Sequence, residues 1–555
     1  MNKTTKHIAL SLLALIAINY VSNLAFKRFD LTVDKRYTLS QAAITIVGEV
    51  NSPLVIDVFL EGNDFPSEFR RLKTETQQLL DEFQSENKNI VYHFINPLED
   101  ENSRNSNIQH LTQRGLTPMQ LSVTENGKAS QSMIFPWALA SYNNQTVSIP
   151  LIKNKIGASQ QELVTNSVQH LEYAFADGFS KLTRPKHRKI AILKGNRELD
   201  DKYIADFGKT LSNYYFIAPF TLENAADNSQ KTLQELNDFD LIIAAKPTKP
   251  FTETEKLILD QYTMNGGKSL WLIDAVAMEK DSLYNASGKN FAVARDLNLT
   301  DFFFKYGVRI NPVLVSSLYS APITLAVGSG SESQFQHLQW PYSPLASPNS
   351  NHPIVNNLNL VKFDFANQID TLKNTISKTI LLQSAPLSRL EGVPKEITLD
   401  LVTQDQNPEN FTHGPQTLSV LLEGEFTSVY HNRVKPFKLN NEKEKSPPTK
   451  IIIIADGDVI KNDVLKNTPQ ELGFDRWTGQ SFGNKEFLLN AVNYLLDDTG
   501  LINIRSKEIA IPFLNQQKIT AEKNQWQLVN LLLPLLFLAL FGFVFNYFRK
   551  KKYTA

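Results

Sequence analysis

Two long apolar runs frame a body in which hydrophobic positions recur at two-residue and at three- to four-residue steps. Ile8 to Phe26 is broken only by Ser, Asn and Tyr, enough at about 1.5 Å per residue to cross a hydrocarbon core of about 30 Å. The small-x-small pattern of a cleavage site is poor around Asn23, Leu24 and Ala25, so the run reads as an uncleaved anchor. Leu528 to Phe548 is almost wholly Leu, Phe, Val and Ala, with Trp526 and Tyr547 as interfacial aromatics. Pro534 inside it is tolerated, because membrane neighbours can satisfy the freed carbonyl.

Between the runs, Leu54 to Leu60 reads as a buried strand, closed by turn signals at Gly62, Asn63 and Pro66. Phe69, Leu72, Thr76, Leu79, Leu80 and Phe83 form one helical stripe, and Ile90 to Ile95 completes a β-α-β unit. Ser159 and Glu162 have capping-box spacing ahead of Val164, Val168, Leu171 and Phe175, a helix expected to end near Gly178. Leu182 to Arg188 reads as a linker.

Beyond it come a strand at Lys189–Leu193, a helix at Tyr203–Leu211 and a strand at Asp240–Ala245 apolar enough to be covered on both faces. Thr252 and Glu255 cap a helix that runs to Met264 and stops at Gly266 and Gly267, and Leu270–Ile273 ends in Asp274. This alternation predicts a doubly wound parallel sheet. It returns at Ile451–Ala455, Asp456-Gly457-Asp458 and a helix over Lys485–Leu496, while the Pro- and Ser-rich stretch Trp340–Pro353 is expected to be irregular and exposed.

Length and charge sharpen this picture. At 555 residues the chain holds about three to four folded units. Lys plus Arg (57) equals Asp plus Glu (57), with no basic stripe, so nucleic acid is set aside as a partner. Cysteine is absent, which excludes thiol nucleophiles, disulfides and thiolate zinc sites. Arg549 and Lys550 to Lys552 place the C-terminal end in the cytoplasm, so with two spans the N-terminus joins it and everything between lies on the opposite face. In a bacterium that face is the periplasm.

Sites of chemistry are sparse. Gly266-Gly267-Lys268-Ser269 ends like a phosphate loop, but Tyr262 replaces the first glycine and the motif closes a helix instead of opening one. Gly328-Ser329-Gly330-Ser331 reads as a mobile turn, and His337, His352, His413 and His431 as surface or packing residues. Neither a G-x-S-x-G elbow nor an H-E-x-x-H pair occurs. Asp456 and Asp458 sit where open α/β sheets bind ligands, and could hold a divalent cation or act as acid and base, although Asp-Gly is equally an ordinary turn. Asp274 ends another strand in the same way.

Several passages, in this order, carry a family resemblance: Arg28–Thr32 with Asp34–Ser40, Phe65–Leu72, Trp340–Leu345, His352–Val355, Leu421–Phe426 and Ala455–Asp458. Together with the flanking runs they make the chain resemble the gliding-motility-associated ABC-transporter accessory, substrate-binding-like proteins of Bacteroidota, the G component of that system. The resemblance implies a membrane-bound subunit working with a separate ATPase and a permease in surface gliding. It also implies a central domain similar to glutamine-amidotransferase-like and intraflagellar-transport-like α/β folds. Amidotransferases of that class use a cysteine nucleophile, which this chain lacks.

The expected architecture is α/β, anchored in the bacterial inner membrane at both ends. It comprises an N-terminal anchor (1–28), a first periplasmic α/β domain (29–182) and an amidotransferase-like periplasmic domain (187–510) with an irregular insert near 328–360. A transmembrane helix (526–548) and a basic cytoplasmic tail (549–555) complete it. The expected role is a non-catalytic accessory subunit without cofactor, its helices docked on a permease and its body binding a ligand or partner. Asp274, Trp340, Tyr342, Asp456 and Asp458 are the candidate contacts. Two rival readings are a periplasmic metal-dependent hydrolase built on Asp456 and Asp458, and an envelope tether presenting Trp340 and Tyr342 to gliding or envelope proteins.

Overall fold

A computed structural model describes residues 38–507 and 516–553, apart from 63–64, 126–127, 329–332 and 498, with 7, 11–16, 18, 30 and 32 ahead of them. The expected N-terminal span, Ile8–Phe26, lies largely outside the described residues, as do Ser329, Gly330 and Ser331. The chain divides into two units, Met1–Glu508 and Ile509–Ala555.

The first unit begins with α1 (Gln41–Gly48), β1 (Leu54–Val58), α2 (Ser67–Glu86), β2 (Ile90–Phe94), β3 (Trp137–Tyr142), β4 (Gln145–Pro150) and α3 (Gln160–Thr183). The four strands form a sheet in the order β2-β1-β3-β4, with β1 parallel to β2 and antiparallel to β3. The β-α-β unit is therefore present, and α2 buries Phe69, Leu72, Thr76, Leu80 and Phe83, most of the stripe that predicted it. Ser159 and Glu162 form the capping box of α3. This helix runs five residues past Gly178 to Thr183, because Gly178 is an approach point and not a stop. A Cβ there would come within 2.7 Å of Ile149 Cδ1 on β4.

The larger part contains β5 (Lys189–Lys194), α4 (Asp201–Leu211), β6 (Phe216–Thr221), β7 (Leu241–Ala245), α5 (Glu253–Met264) and β8 (Lys268–Leu272). It continues through β9 (Ser320–Val327), β10 (Gln334–Pro348), β11 (Ser377–Gln383), β12 (Thr417–Gly424), β13 (Thr449–Ile454) and α6 (Asn484–Leu496). These strands lie in one sheet in the order β9-β10-β11-β12-β13-β8-β7-β5-β6. From β13 to β6 every pair is parallel, in the 2-1-3-4-5 order of flavodoxin-like sheets. From β13 to β9 every pair is antiparallel.

The expected doubly wound sheet thus accounts for one half of a mixed sheet, and the long segment between β8 and β13 supplies the other. The stretch expected to be irregular near 328–360 is corrected most: residues 334–348 form β10, and Trp340 and Tyr342 are 0% and 2% exposed. Three prolines suggested a loop. Here Pro341 and Pro344 sit at an irregular pairing with β9, whose register shifts between Ser320 and Pro322, and Pro348 is the last residue of the strand, places where a strand tolerates a missing donor.

Glu486 of α6, itself partly exposed, ties the two sheets together through two buried cations. It pairs with Lys153, just before α3, and accepts from Arg505 Nη2 at 2.6 Å. Arg505 also donates to the carbonyls of Pro353 and Asn356, and Ile502 and Ile504 pack into the core of the first sheet. Two residues past Arg505, Lys507 Nζ reaches Glu172 at 2.6 Å and the Thr38 carbonyl at 2.7 Å, while the Ser40 N–H donates to the same Glu172.

The second unit contains one helix, Gln516–Tyr553, with Pro534 inside it. Among the described residues it is the one helix long and apolar enough to cross a membrane, over Ala521–Tyr553. Its Leu and Phe side chains are exposed, and its last turn carries Lys550, Lys551 and Lys552. By length and composition it is of membrane-anchor type.

Burial opposes the charge on Glu486, but Lys153 and Arg505 outweigh it and hold the carboxyl down at about 2. A depressed acid contributes stability above its ordinary pKa of 4.5 and loses that contribution as pH falls through about 2. Glu486→Gln should therefore cost about 3–5 kcal/mol in urea unfolding at pH 7, by stranding Lys153 and Arg505, and visibly less at pH 3. A cost that does not change with pH would show that the carboxylate charge is not what holds this junction.

Candidate functional site

β7, β8 and β13 lie side by side and point the same way, with Ala245 and Ile454 both opposite Leu272. The residues just past their C-terminal ends must therefore meet. Lys246 follows β7, Asp274 stands two residues past β8, and Asp456 stands two past β13. The structure brings together three residues singled out from the sequence, Asp274, Asp456 and Asp458, around a lysine that was not singled out.

Lys246 is almost fully buried. Its Nζ donates to Asp458 Oδ1 at 2.7 Å and to Glu279 Oε2 at 2.7 Å, and lies 3.5 Å from Asp274 Oδ2. Burial alone would pull this amine down, but Asp458, Asp274 and Glu279 together hold its pKa above the ordinary lysine range. Its backbone is left-handed, φ 56°, a conformation costing on the order of 1–2 kcal/mol in a residue with a Cβ. Gly457 makes room for the stem: a Cβ there would sit 2.3 Å from Lys246 Cγ.

The acids are held as tightly. Asp274 Oδ1 accepts the Gly457 N–H at 2.5 Å, and Oδ2 accepts from Arg295 Nη1 at 3.3 Å. Burial pushes the Asp274 carboxyl up to about 6, against the pull of Lys246. Asp456 caps the short 3-10 turn Gly457–Ile460, accepting the Asp458 N–H at 2.7 Å and the Asp364 N–H at 2.6 Å. Burial, with Asp458 and Asp274 close by, pushes Asp456 well above the usual carboxylate range. Asp364 extends the cluster, pairing with Lys280 at 3.1 Å and bonding Ser343.

Chemically, this is a charge knot that satisfies itself. The ammonium of Lys246 lies where a cation bridging Asp274, Glu279 and Asp458 would lie, and Arg295 supplies a second positive charge. Among the described residues no group of three or more His, Asp or Glu side chains is arranged to hold a metal. Lys246, Glu279, Arg295 and Asp364 escaped the sequence reading. One signal did exist for Lys246: it ends the most apolar strand just as Asp274 and Asp456 end theirs.

Trp340 and Tyr342 belong elsewhere. Both lie in a neighbouring core, with ring centroids 5.5 Å apart, and the Tyr342 hydroxyl donates to Glu391 at 2.7 Å. The expectation that they present a surface to a partner is corrected: β10 pairs with β9 over Gln334–Gln339 and again at Pro344, meets β11 only at Ser347 and Pro348, and both rings are buried in the core between these pairings.

Fold and site define a class before any particular family: a mixed α/β body with an internally neutralised strand-end cluster, in a chain that also carries a helix of membrane-anchor type. The chain belongs to the family described as ABC-type uncharacterized transport system, an ABC transporter auxiliary family, whose model matches residues 187–491. A domain of unknown function (DUF7088) matches residues 33–141. An uncharacterized protein of Borreliella burgdorferi is 18% identical over 550 residues, spanning 98% of this chain and 97% of its own. Among solved structures, the mmIFT52 N-terminal domain is similar over 56% of this chain and 98% of its own, at 12% identity and a TM-score of 0.31. So slight a likeness carries no inference.

Removing the ammonium should leave Arg295 alone to face both Asp274 and Glu279, and Asp458 with only the more distant Lys461. Lys246→Met is expected to lower unfolding stability by about 3–5 kcal/mol. Gly457→Ala should cost about 1–3 kcal/mol by forcing the lysine stem aside. Wild-type urea midpoints in both variants would show that the knot is not part of the folded state.

Proposed function

We propose that this chain is a non-catalytic accessory subunit of an ABC transporter, in which a separate ATPase supplies the energy and a permease supplies the path. The observation that carries the non-catalytic part is Lys246. At the edge where an α/β sheet of this order usually offers groups to a ligand, the carboxylates are already bound to an internal ammonium. The transporter part is supported by the auxiliary family to which residues 187–491 belong, and membrane attachment by the apolar helix Ala521–Tyr553.

The finer parts of the proposal are an inner-membrane location with both termini cytoplasmic, a periplasmic body that binds a ligand or partner, and service in gliding motility. We also divide the body into 29–182 and 187–510, a division supported by the start of the family match at 187. The parallel half of the large sheet is the support for an amidotransferase-like origin of the second part. The hydrolase reading would need a cation where Lys246 stands, and the tether reading loses the surface it placed at Trp340 and Tyr342.

Purification of the full-length chain in mild detergent, with mass spectrometry of what accompanies it, tests the proposal. An ATPase and a multi-span permease are expected to co-purify in constant ratio. Repeated recovery of the chain without either would overturn it.

A further inference from the structure

Away from the strand-end knot, a cleft of ≈ 350 Å³ opens where residues 155–156 meet the turn that follows β10. Two hydrogen bonds fix its walls. The Ile156 N–H donates to Asn359 Oδ1 at 3.0 Å, and Asn357 Nδ2 donates to the Asn166 carbonyl of α3 at 3.1 Å. Asn357 adopts φ 51°, left-handed backbone that an asparagine accepts more readily than most residues. The turn is thus pinned to the first sheet's helix, and the cleft is part of the folded body.

The chemistry of the lining is specific. Asn351 and Asn356 bring side-chain amides, each able to donate and accept, to an aliphatic floor, while the Asn357 amide is engaged in holding the wall. Ser350 adds a hydroxyl whose oxygen is buried with no hydrogen-bond partner. Tyr319, 53% exposed, offers an aromatic face at the lip. Lys155 is the one charged residue in the lining.

From this we infer that the cleft binds an uncharged saccharide of about disaccharide size. Vicinal hydroxyls both donate and accept, as amides do, and a sugar's C–H face packs on a phenol ring. A lone lysine and no acid give a strongly charged ligand little to hold. The volume falls at the lower end of the roughly 300–1,000 Å³ of small-molecule sites, which favour seams between packed units. The inference rests on the cleft alone, so it stands or falls separately from the transporter assignment.

Saturation-transfer NMR tests it on the full-length chain in a zwitterionic detergent that contains no sugar. Maltose and chitobiose serve as probes, with glucose 6-phosphate as the charged control. At least one disaccharide is expected to bind saturably and the phosphorylated sugar more weakly. Asn351→Leu and Tyr319→Ala, both at exposed positions, should each weaken binding roughly tenfold with the melting temperature unchanged. Absence of saturable binding by both disaccharides, or binding that neither variant alters, would overturn the inference.

Discussion

One strand sets the terms for the rest of the larger sheet. Ile451 to Ile454 are fully buried, covered on both faces, and β13 is bonded in parallel to β8 and antiparallel to β12. Burying each isoleucine is worth about 1.5–3 kcal/mol relative to exposure, and hydrogen-bonded ladders on both edges hold the strand in place. β13 is also where the two halves of the mixed sheet change direction. Because its register is so firmly held, the residues at its end, Asp456 to Asp458, are delivered to one place beside Asp274 and Lys246.

That delivery governs what the strand ends can do. An open α/β sheet commonly leaves a polar crevice there, with groups waiting for a ligand. Here the same positions are closed by a left-handed lysine, a glycine that makes way for it and carboxylates bonded to backbone N–H groups. Such a knot costs desolvation and confers order, so it suits a body that must present a fixed shape more than one that must turn over a substrate. The junction through Glu486 has the same logic at the seam between the sheets. A separate contact, from Lys507 to Glu172 and the Thr38 carbonyl, makes Thr38 and Lys507 neighbours.

Much of this was legible in the residues. The helical stripe of α2, both capping boxes and the parallel strands appear where periodicity and caps put them, because those signals are local. Asp456 and Asp458 were singled out as a pair and Asp274 by itself from the rule that strand ends bind ligands, but only the strand order could say that Asp274 shares their site. Three things were hidden for different reasons. Prolines made β10 look like a loop, although an irregular register lets a strand keep them. Gly178 looked like a helix stop, although its role is to let α3 approach Ile149. Lys246 was not singled out, because its place at a strand end does not show that three carboxylates from other segments will surround it.

The claim at the centre of this account is that an ammonium, not a metal ion, neutralises the strand-end carboxylates. Calorimetric titration of Mg²⁺, Mn²⁺ and Zn²⁺ into the full-length protein, alongside an Asp458→Asn variant, addresses it directly. No saturable one-to-one binding that depends on Asp458 is the predicted result. Tight one-to-one binding that disappears in Asp458→Asn would contradict the account and return the site to metal-dependent chemistry.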